Sequence, residues 1–160
     1  MAYGDRESVR RVRAAVEERG LFPEFVELDQ TARSAADAAA ALGCRVEQIV
    51  KSLVFKGADT GGPVLVLASG PNRVGERRIS DHLGEPVEKA DAAFVREKTG
   101  FAIGGVPPLA HAETPVAFFD EDLLEQDEVW AAAGHTHVVF GLDPDDLQNI
   151  TGARVVRVKP

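Results

Sequence analysis

Three features that are missing or scarce limit the classes of protein to which this chain of 160 residues can belong. Its single cysteine, Cys44, cannot form a disulfide within the chain, so we expect a reducing, cytoplasmic environment. No stretch approaches the roughly 18 uninterrupted apolar residues of a membrane-spanning helix. The segment from Met1 to Arg13 is charged and lacks the apolar middle of a secretory signal. These absences exclude a disulfide scaffold and predict a protein that does not enter a membrane.

The chain also lacks a serine nucleophile elbow. The nearest approach to Gly-x-Ser-x-Gly is Ala68-Ser69-Gly70, which has no first glycine. Cys44 comes just after the expected end of a helix, where a small buried side chain is more plausible than a nucleophile. Chemistry on this chain would therefore depend on positioning, amide donors and a water molecule.

Basic residues are scarce and unevenly distributed. The net charge is −8, and residues 111–150 hold ten acidic side chains with no lysine or arginine. The rest of the chain is mildly basic, with Arg73, Arg77 and Arg78 close together. This balance argues against a general nucleic-acid coat but allows contact with a small part of a polyanion, such as one end of an RNA. The alternative for the three arginines is an ordinary charged helix surface.

The order of patterns predicts an α+β fold in a single domain spanning residues 1–160. Apolar residues at helical spacing follow Asp5, a candidate cap, and stop near Gly20. Val50–Phe55 and Val64–Ala68 flank a Gly/Pro turn and predict a hairpin. We therefore expect a mixed, largely antiparallel sheet flanked by helices. The other expected strands are Phe25–Leu28, Pro86–Glu88, Val116–Phe119, His135–Phe140 and Arg154–Val158. The other expected helices are one near Glu76–Leu83 and those capped by Ser34, Asp91, Asp120 and Asp143, of which the one from Asp120 runs to about Ala133.

Lys51 is the first candidate site residue, because it lies on an otherwise apolar strand. Alternation of side chains puts it on the same face as Leu53 and Phe55. It either extends its ammonium group to solvent from the strand end or holds an anion or carbonyl in a partly enclosed cleft.

Gly104 and Gly105 form the second candidate feature. Glycine lets the main chain approach a ligand closely, while Pro107 and Pro108 stiffen the loop that follows. Such a loop could present bare N–H groups to an oxyanion, with each donor worth about 3 kcal/mol. The alternative is a tight surface connection. If the functional interpretation holds, we expect the ammonium and the glycine amides to meet in one crevice.

His135 and His137 suggest a metal site, because residues two apart on a strand face the same way. Zinc needs at least three protein ligands, and no adjacent third is present. We therefore predict no metal and no cofactor.

These segments, in this order, resemble the YbaK/ProX aminoacyl-tRNA deacylases, relatives of the editing domain in bacterial prolyl-tRNA synthetase. The resemblance covers roughly residues 20–160. It is carried by Thr31 with Ala35-Ala36 and Gly43, by Ile49–Phe55, by Gly100-x-x-x-Gly-Gly-Val-x-Pro108, by Ala132–Phe140, and by Asp146-Leu147 with Thr151-Gly-Ala153.

The resemblance implies a barrel-like version of the mixed sheet and a hydrolase that removes wrong amino acids from tRNA, mostly tRNA for proline. Lys51 matches the family's essential lysine at the adenosine end of the substrate. Gly104, Gly105 and Pro108 match the loop that contacts the aminoacyl ester. Gly134 and His135 match a segment lining the amino-acid pocket.

Two other functions stay open at this point. The same cleft could serve a non-catalytic module that binds a nucleotide or a tRNA end, or a hydrolase of small free esters. The implied partner is the acceptor end of aminoacyl-tRNA, recognised directly or delivered by a synthetase or elongation factor. The amino acid removed and the oligomeric state are not determined by the sequence.

Overall fold

The computed structural model describes Tyr3, residues 6–29 and residues 32–160. In that part it contains five α-helices, eight strands and two short 3₁₀ helices. The helices are α1 (Glu7–Glu18), α2 (Ala35–Leu42), α3 (Glu76–Leu83), α4 (Ala92–Thr99) and α5 (Pro144–Thr151). The strands are β1 (Phe25–Glu27), β2 (Val50–Gly57), β3 (Pro63–Ser69), β4 (Val87–Lys89), β5 (Val116–Asp120), β6 (Val129–His135), β7 (Val138–Leu142) and β8 (Arg154–Val156).

The strands form two sheets, and the α+β prediction is confirmed. One sheet has the order β1–β7–β6 and the other β4–β2–β3–β5–β8. Only the β3–β5 and β5–β8 pairs are parallel, so the arrangement is mixed and largely antiparallel. The barrel-like closure is wrong: in the described residues a single bridge, Ile49 to Trp130, joins the two sheets. Closure into a barrel requires continuous strand pairing around the sheet, and one bridge does not provide it. The larger sheet therefore stays open, with the short strands β4 and β8 at its edges.

The predicted hairpin is confirmed and defines the two faces of the larger sheet. In the β2–β3 register Lys51 lies opposite Ala68 and Ser52 opposite Leu67. Since cross-strand partners share a face, Leu65 and Leu67 point one way and Val64, Val66 and Ala68 the other. We call the first the inner face and the second the outer face.

Each face carries its own hydrophobic cluster. The inner face packs against α1, α4 and the smaller sheet, with Val12, Phe119 and Phe140 fully buried there. The outer face packs against α3 through Ile79 and against the C-terminal residues Val156 and Val158.

The acidic helix expected from Asp120 to Ala133 is wrong. The Asp120 carboxylate does cap a turn, accepting from the amide of Asp122, but the turn is a 3₁₀ helix that ends at Glu125. Strand β6 then begins at Val129, with Val129, Ala131 and Ala133 buried and the residues between them half-buried. Alanine has a high helix propensity, so the alanines at 131–133 favour a helix when the segment is considered alone. In the folded protein the segment packs against α1 as a strand, and small side chains fit on the side that faces the helix.

The single strand expected over His135–Phe140 is also wrong. His135 ends β6, Thr136 and His137 form a turn, and β7 begins at Val138. Gly134 has a φ of 90°, which L side chains rarely adopt, and the β6–β7 register shifts between Ala132 and His135. The two histidines therefore lie around a turn.

Local capping signals located several helix ends correctly. Ser34 accepts from the amide of Asp37 at the start of α2, and Gly43 ends that helix in the left-handed conformation. Asp91 caps α4 in the same way, by accepting from the amide of Phe94. The predicted cap Asp5 and the motif residue Thr31 lie outside the described residues. Within the described part, no helix combines the length and apolarity that crossing a bilayer requires.

Candidate functional site

A groove runs along an unpaired edge of β2. Strand β4 pairs only with Phe55–Gly57, and the bridge to β6 involves Ile49, so residues 50–54 have a strand neighbour on one side only within the described chain. Alternate backbone N–H and C=O groups of such an edge point outward. The groove along it has a volume of about 430 Å³. Its other walls come from α2 and the loop before it, from β6 and β7, and from the loop after α4: Ala32, Arg33, Ala38, Trp130, Val139 and Ile103.

Lys51 and Gly104 both line this groove. The side chain of Lys51 leaves β2 on the outer face, as its partner Ala68 does, whereas Val106 after the glycines packs in the inner cluster. The lysine and the glycine loop therefore approach from opposite faces of the sheet. They share the groove because it follows the edge that both faces border.

The ammonium group of Lys51 is held by a main-chain oxygen. Its Nζ donates to the carbonyl of Asn72 at 2.6 Å. Burial lowers the pKa of Lys51, and the negative charge of Asp120 partly offsets that effect. The partner in direct contact is a neutral carbonyl, and Lys51 makes no ion pair among the described residues, so its positive charge stays available to an anionic or carbonyl ligand.

A buried carboxylate fixes the turn that carries this carbonyl. Asp120 is fully buried and accepts from the Ser69 amide at 3.0 Å, the Asn72 Nδ2 at 2.8 Å and the Asp122 amide at 2.9 Å. The Asn72 amide group also donates to Asp122 at 2.8 Å. Sequence reasoning treated Asp120 only as a helix cap. One feature of the sequence could have indicated burial of Asp120. It directly follows the apolar segment Val116–Phe119, and a carboxylate at the end of a buried strand is buried together with that strand.

The diglycine segment is a hydrogen-bonded turn. The amide of Gly105 donates to the carbonyl of Ala102 at 3.0 Å, and Gly104 has a φ of 91°, which is the pattern of a type II turn. The expectation that both glycine amides are bare is therefore wrong for Gly105. Among the described residues, the amide of Gly104 donates no backbone hydrogen bond, so it differs in this respect from the amide of Gly105.

Close packing explains why position 105 is glycine. A Cβ there would lie 3.0 to 3.1 Å from the backbone of His135, and a Cβ on Gly104 would lie 3.4 Å from Thr136 Cγ2. The loop thus rests directly on the β6–β7 turn. The glycine loop and the segment around His135, which are far apart in the sequence, therefore form one structural unit.

Pro108 is not brought to the groove. It lines a separate pocket of about 190 Å³ together with Arg19, Leu109 and His111. The carbonyl of Pro107 is bonded to Nε2 of His111 at 2.6 Å, and burial lowers the pKa of this histidine. The proline pair therefore anchors the loop at a distance from Lys51.

Gly134 and His135 border the site without lining the groove. Gly134 faces α1, since a Cβ there would lie 2.7 Å from the carbonyl oxygen of Ser8. The ring of His135 stacks on Tyr3 with centroids 4.3 Å apart, and both residues line an open cleft of about 510 Å³. Arg33 and Thr136 line that cleft as well as the groove, so the two are neighbours. Burial, with help from the charge of Arg6, lowers the pKa of His135.

The histidine pair does not form the beginning of a metal site. Nδ1 of His135 accepts from the amide of His137 at 3.1 Å, so that nitrogen is already used. In the described residues no three His, Cys, Asp or Glu side chains come together in a way that could hold a metal ion. Cys44 is half-buried, and burial raises the pKa of its thiol, which disfavours the thiolate that a nucleophile requires.

Comparison with known proteins decides the family. The profile of the family described as "Aminoacyl-tRNA editing domain" matches residues 29–150, which include the glycine turn, the β6–β7 turn and every residue of the groove except Leu28. The chain belongs to the aminoacyl-tRNA editing domain family. The resemblance to YbaK-type proteins is thereby confirmed.

Relatives of this editing domain cover almost its whole length. It is 46% identical to a crystal structure described as that of a candidate trans-editing enzyme for prolyl tRNA synthetase, with a TM-score of 0.91 over 97% of this chain and 98% of the other. The crystal structure of hypothetical protein APE2540 is 32% identical, with a TM-score of 0.85 over 92% of this chain and 98% of that one. Protein YwhH of Bacillus subtilis (strain 168), which is uncharacterized, is 25% identical over 92% of this chain and 94% of its own.

Proposed function

We propose that this editing domain hydrolyses the ester of mischarged aminoacyl-tRNA, with tRNA for proline or a related set as the substrate. The observation that carries the proposal is that Lys51 and Gly104 line one groove along the unpaired edge of β2. The family match and the described role of the 46% identical relative in editing for prolyl-tRNA synthetase support it.

Lys51 and Gly104 have complementary roles in this proposal. The Lys51 ammonium engages the adenosine end of the substrate, exchanging the Asn72 carbonyl for an anionic partner. The amide of Gly104, which donates to no backbone acceptor in the described residues, donates to the oxygen that becomes negative when the ester is attacked. Gly105, whose own amide is used in the turn, positions Gly104 by packing on His135.

The reaction needs no side-chain nucleophile. A water oxygen adds to the ester carbonyl carbon, and a ribose hydroxyl of the substrate helps to take its proton. The tetrahedral intermediate then breaks its bond to the ribose oxygen, which leaves with a proton. The products are the free amino acid and uncharged tRNA. An aminoacyl ester is already activated, so orientation and one oxyanion donor supply most of the catalysis required.

The outer residues of the motif shape the site in this proposal. Pro108 holds the loop from the neighbouring pocket, Gly134 allows α1 to pack close to β6, and His135 supports Gly105. Any effect of these positions on the bound amino acid would pass through the β6–β7 turn.

A deacylation panel tests the proposal. Purified tRNA charged with alanine, cysteine, serine, threonine or proline is incubated with the wild type, with Lys51→Ala and with Lys56→Ala. We expect turnover of at least one mischarged tRNA, a loss of at least about 100-fold in kcat/KM for Lys51→Ala, and near wild-type rates for Lys56→Ala. Lys56 is the matched control because it lies on the same strand and contacts Phe94 away from the groove.

Two results would contradict the proposal. Full activity of a folded Lys51→Ala protein would remove the lysine from the site. Binding of tRNA without turnover of any charged species would identify the protein as a non-catalytic binding module.

A further inference from the structure

Six basic side chains lie together on and beside α3 and the C-terminal residues. Arg78 donates to the carbonyl of Lys159 at 2.6 Å, and Arg154 donates to the carbonyl of His82, in the last turn of α3, at 3.4 Å. Arg73 and Arg77 belong to the group by their positions just before α3 and in its first turn. The amide of Gly75 also donates to the carbonyl of Val158 at 2.8 Å, which aligns the chain before α3 with the C-terminus. We call this group the arginine face; it consists of Arg73, Arg77, Arg78, Arg154, Arg157 and Lys159.

Most of this charge is not neutralised by the protein. Among the described residues, the five arginines of the face make no ion pair, and only Lys159 pairs with a carboxylate, Asp122, at 2.9 Å. Glu76 and Asp81 also lie on α3 but make no ion pair with these arginines. Bonds to main-chain carbonyls orient the guanidinium groups of Arg78 and Arg154 without cancelling their charge. In a protein of net charge −8, an unpaired basic face complements a polyanion.

The face begins at the groove. Arg73 directly follows Asn72, whose carbonyl holds the ammonium group of Lys51 at 2.6 Å. The arginines of α1 differ in this respect, because Arg11 and Arg13 lie over the rings of Phe101 and Phe25. A polyanion whose end occupies the groove beside Lys51 would continue across the turn of Asn72 toward Arg73 and Arg77.

We infer that the arginine face binds the phosphodiester backbone of the acceptor stem, so that the protein recognises its tRNA directly. This inference rests on the proposed function, which places the terminal adenosine at Lys51. It identifies the surface that takes the RNA next to that adenosine, and it makes delivery by a second protein unnecessary for binding.

The test compares long and short substrates in the double variant Arg73→Gln/Arg77→Gln. On full-length mischarged tRNA, kcat/KM at moderate salt should fall about tenfold through KM, with kcat retained. The slope of log kcat/KM against log salt should become shallower by about two, or one per lost phosphate contact. On the aminoacylated trinucleotide CCA, which lacks the stem, the variant should match the wild type.

The control is Arg10→Gln/Arg96→Gln, which removes the same charge from the exposed surfaces of α1 and α4 and should leave both substrates unaffected. Equal losses in the two double variants, or a wild-type slope near zero, would overturn the inference. If the wild type turns over neither substrate, the proposed function fails, and the inference is decided by binding of an uncharged acceptor-stem hairpin. Weaker, less salt-dependent binding by the Arg73/Arg77 variant alone would then support it, and unchanged binding would reject it.

Discussion

The two faces of the five-stranded sheet reach the groove in different ways. On the inner face, the glycine turn is shaped by apolar packing and by backbone contacts that leave little room for a side chain at position 105. On the outer face, the lysine is held by a hydrogen-bonded network centred on the fully buried Asp120. One side supplies backbone geometry and the other supplies charge. Substitutions should therefore act through sterics on the inner face and through hydrogen bonding and electrostatics on the outer face.

The largest expected effect is on the outer face, from Asp120→Ala. This change leaves the amides of Ser69 and Asn72 without the buried acceptor that they share. Since each buried unsatisfied donor costs about 1–3 kcal/mol, we expect the free energy of unfolding to fall by about 3 kcal/mol. Chemical denaturation measures this. Asp120→Asn, which keeps one carbonyl oxygen, should lose less; equal losses would show that the acceptor contacts do not account for the effect.

In the smaller sheet, which packs on the inner face, the corresponding change is Gly134→Ala. Its Cβ would lie 2.7 Å from the carbonyl oxygen of Ser8, and its φ of 90° is strained for alanine. We expect a loss of about 2–3 kcal/mol, measured by thermal or chemical unfolding. Gly43→Ala separates the two causes, because Gly43 has a φ of 70° but a Cβ added there would meet nothing within 4 Å. It should lose only about 1 kcal/mol, and similar losses at both sites would remove the steric explanation.

Lys51→Met should change stability little while removing the proposed activity. Burial lowers the pKa of Lys51, so its charge costs folding free energy below the ordinary lysine pKa. That cost disappears as pH rises through the folded-state pKa. We expect the variant to be within about 1 kcal/mol of the wild type at pH 7, with any advantage shrinking as the pH approaches 10.5. Urea unfolding at several pH values measures the difference, and an advantage that grows with pH would contradict the sign.

The smallest expected effect concerns Asp122, which joins the outer network to Lys159. Hydrogen bonds from Lys159 and Asn72 lower the pKa of this carboxyl, so its contribution is present above the ordinary aspartate pKa and is lost as pH falls through the folded-state value. Asp122→Asn should lose less than about 1 kcal/mol at pH 7 and should converge with the wild type in acid. Asp146→Asn, on exposed helix surface, is the matched control. A constant difference at all pH values would show that charge is not the cause.

Local signals in the sequence predicted much of the fold. Ser34, Asp91 and Asp143 cap the helices that they were expected to cap, because a side-chain oxygen within hydrogen-bonding reach of the next turn acts over three residues. The β2–β3 hairpin was equally local. The helix expected over the alanines of β6 is wrong because packing against α1 outweighs their helix propensity. That packing involves residues more than a hundred positions earlier in the chain, so no local pattern shows it.

The roles given to the candidate site residues stay predictions, and the structure adds how those residues are arranged. Lys51 and Gly104, both chosen from the sequence, line one groove. Asn72 was missed, since the chain shows no pattern by which its carbonyl would be chosen to hold an ammonium group. Pro108 was placed with the glycines because it is close to them in sequence, but a few residues of extended chain carry it into another pocket.

By itself the sequence determined the secondary-structure elements outside the segment from Asp120 to Phe140, most helix ends and the chemistry available to the site, since these depend on interactions between near neighbours in the chain. Only the tertiary structure decided that the sheet stays open, that the amide of Gly105 is used within its own turn, and that lysine and glycine reach the groove from opposite faces. Those outcomes depend on contacts between distant segments, whose free energies are set by packing of the whole chain and leave no local pattern.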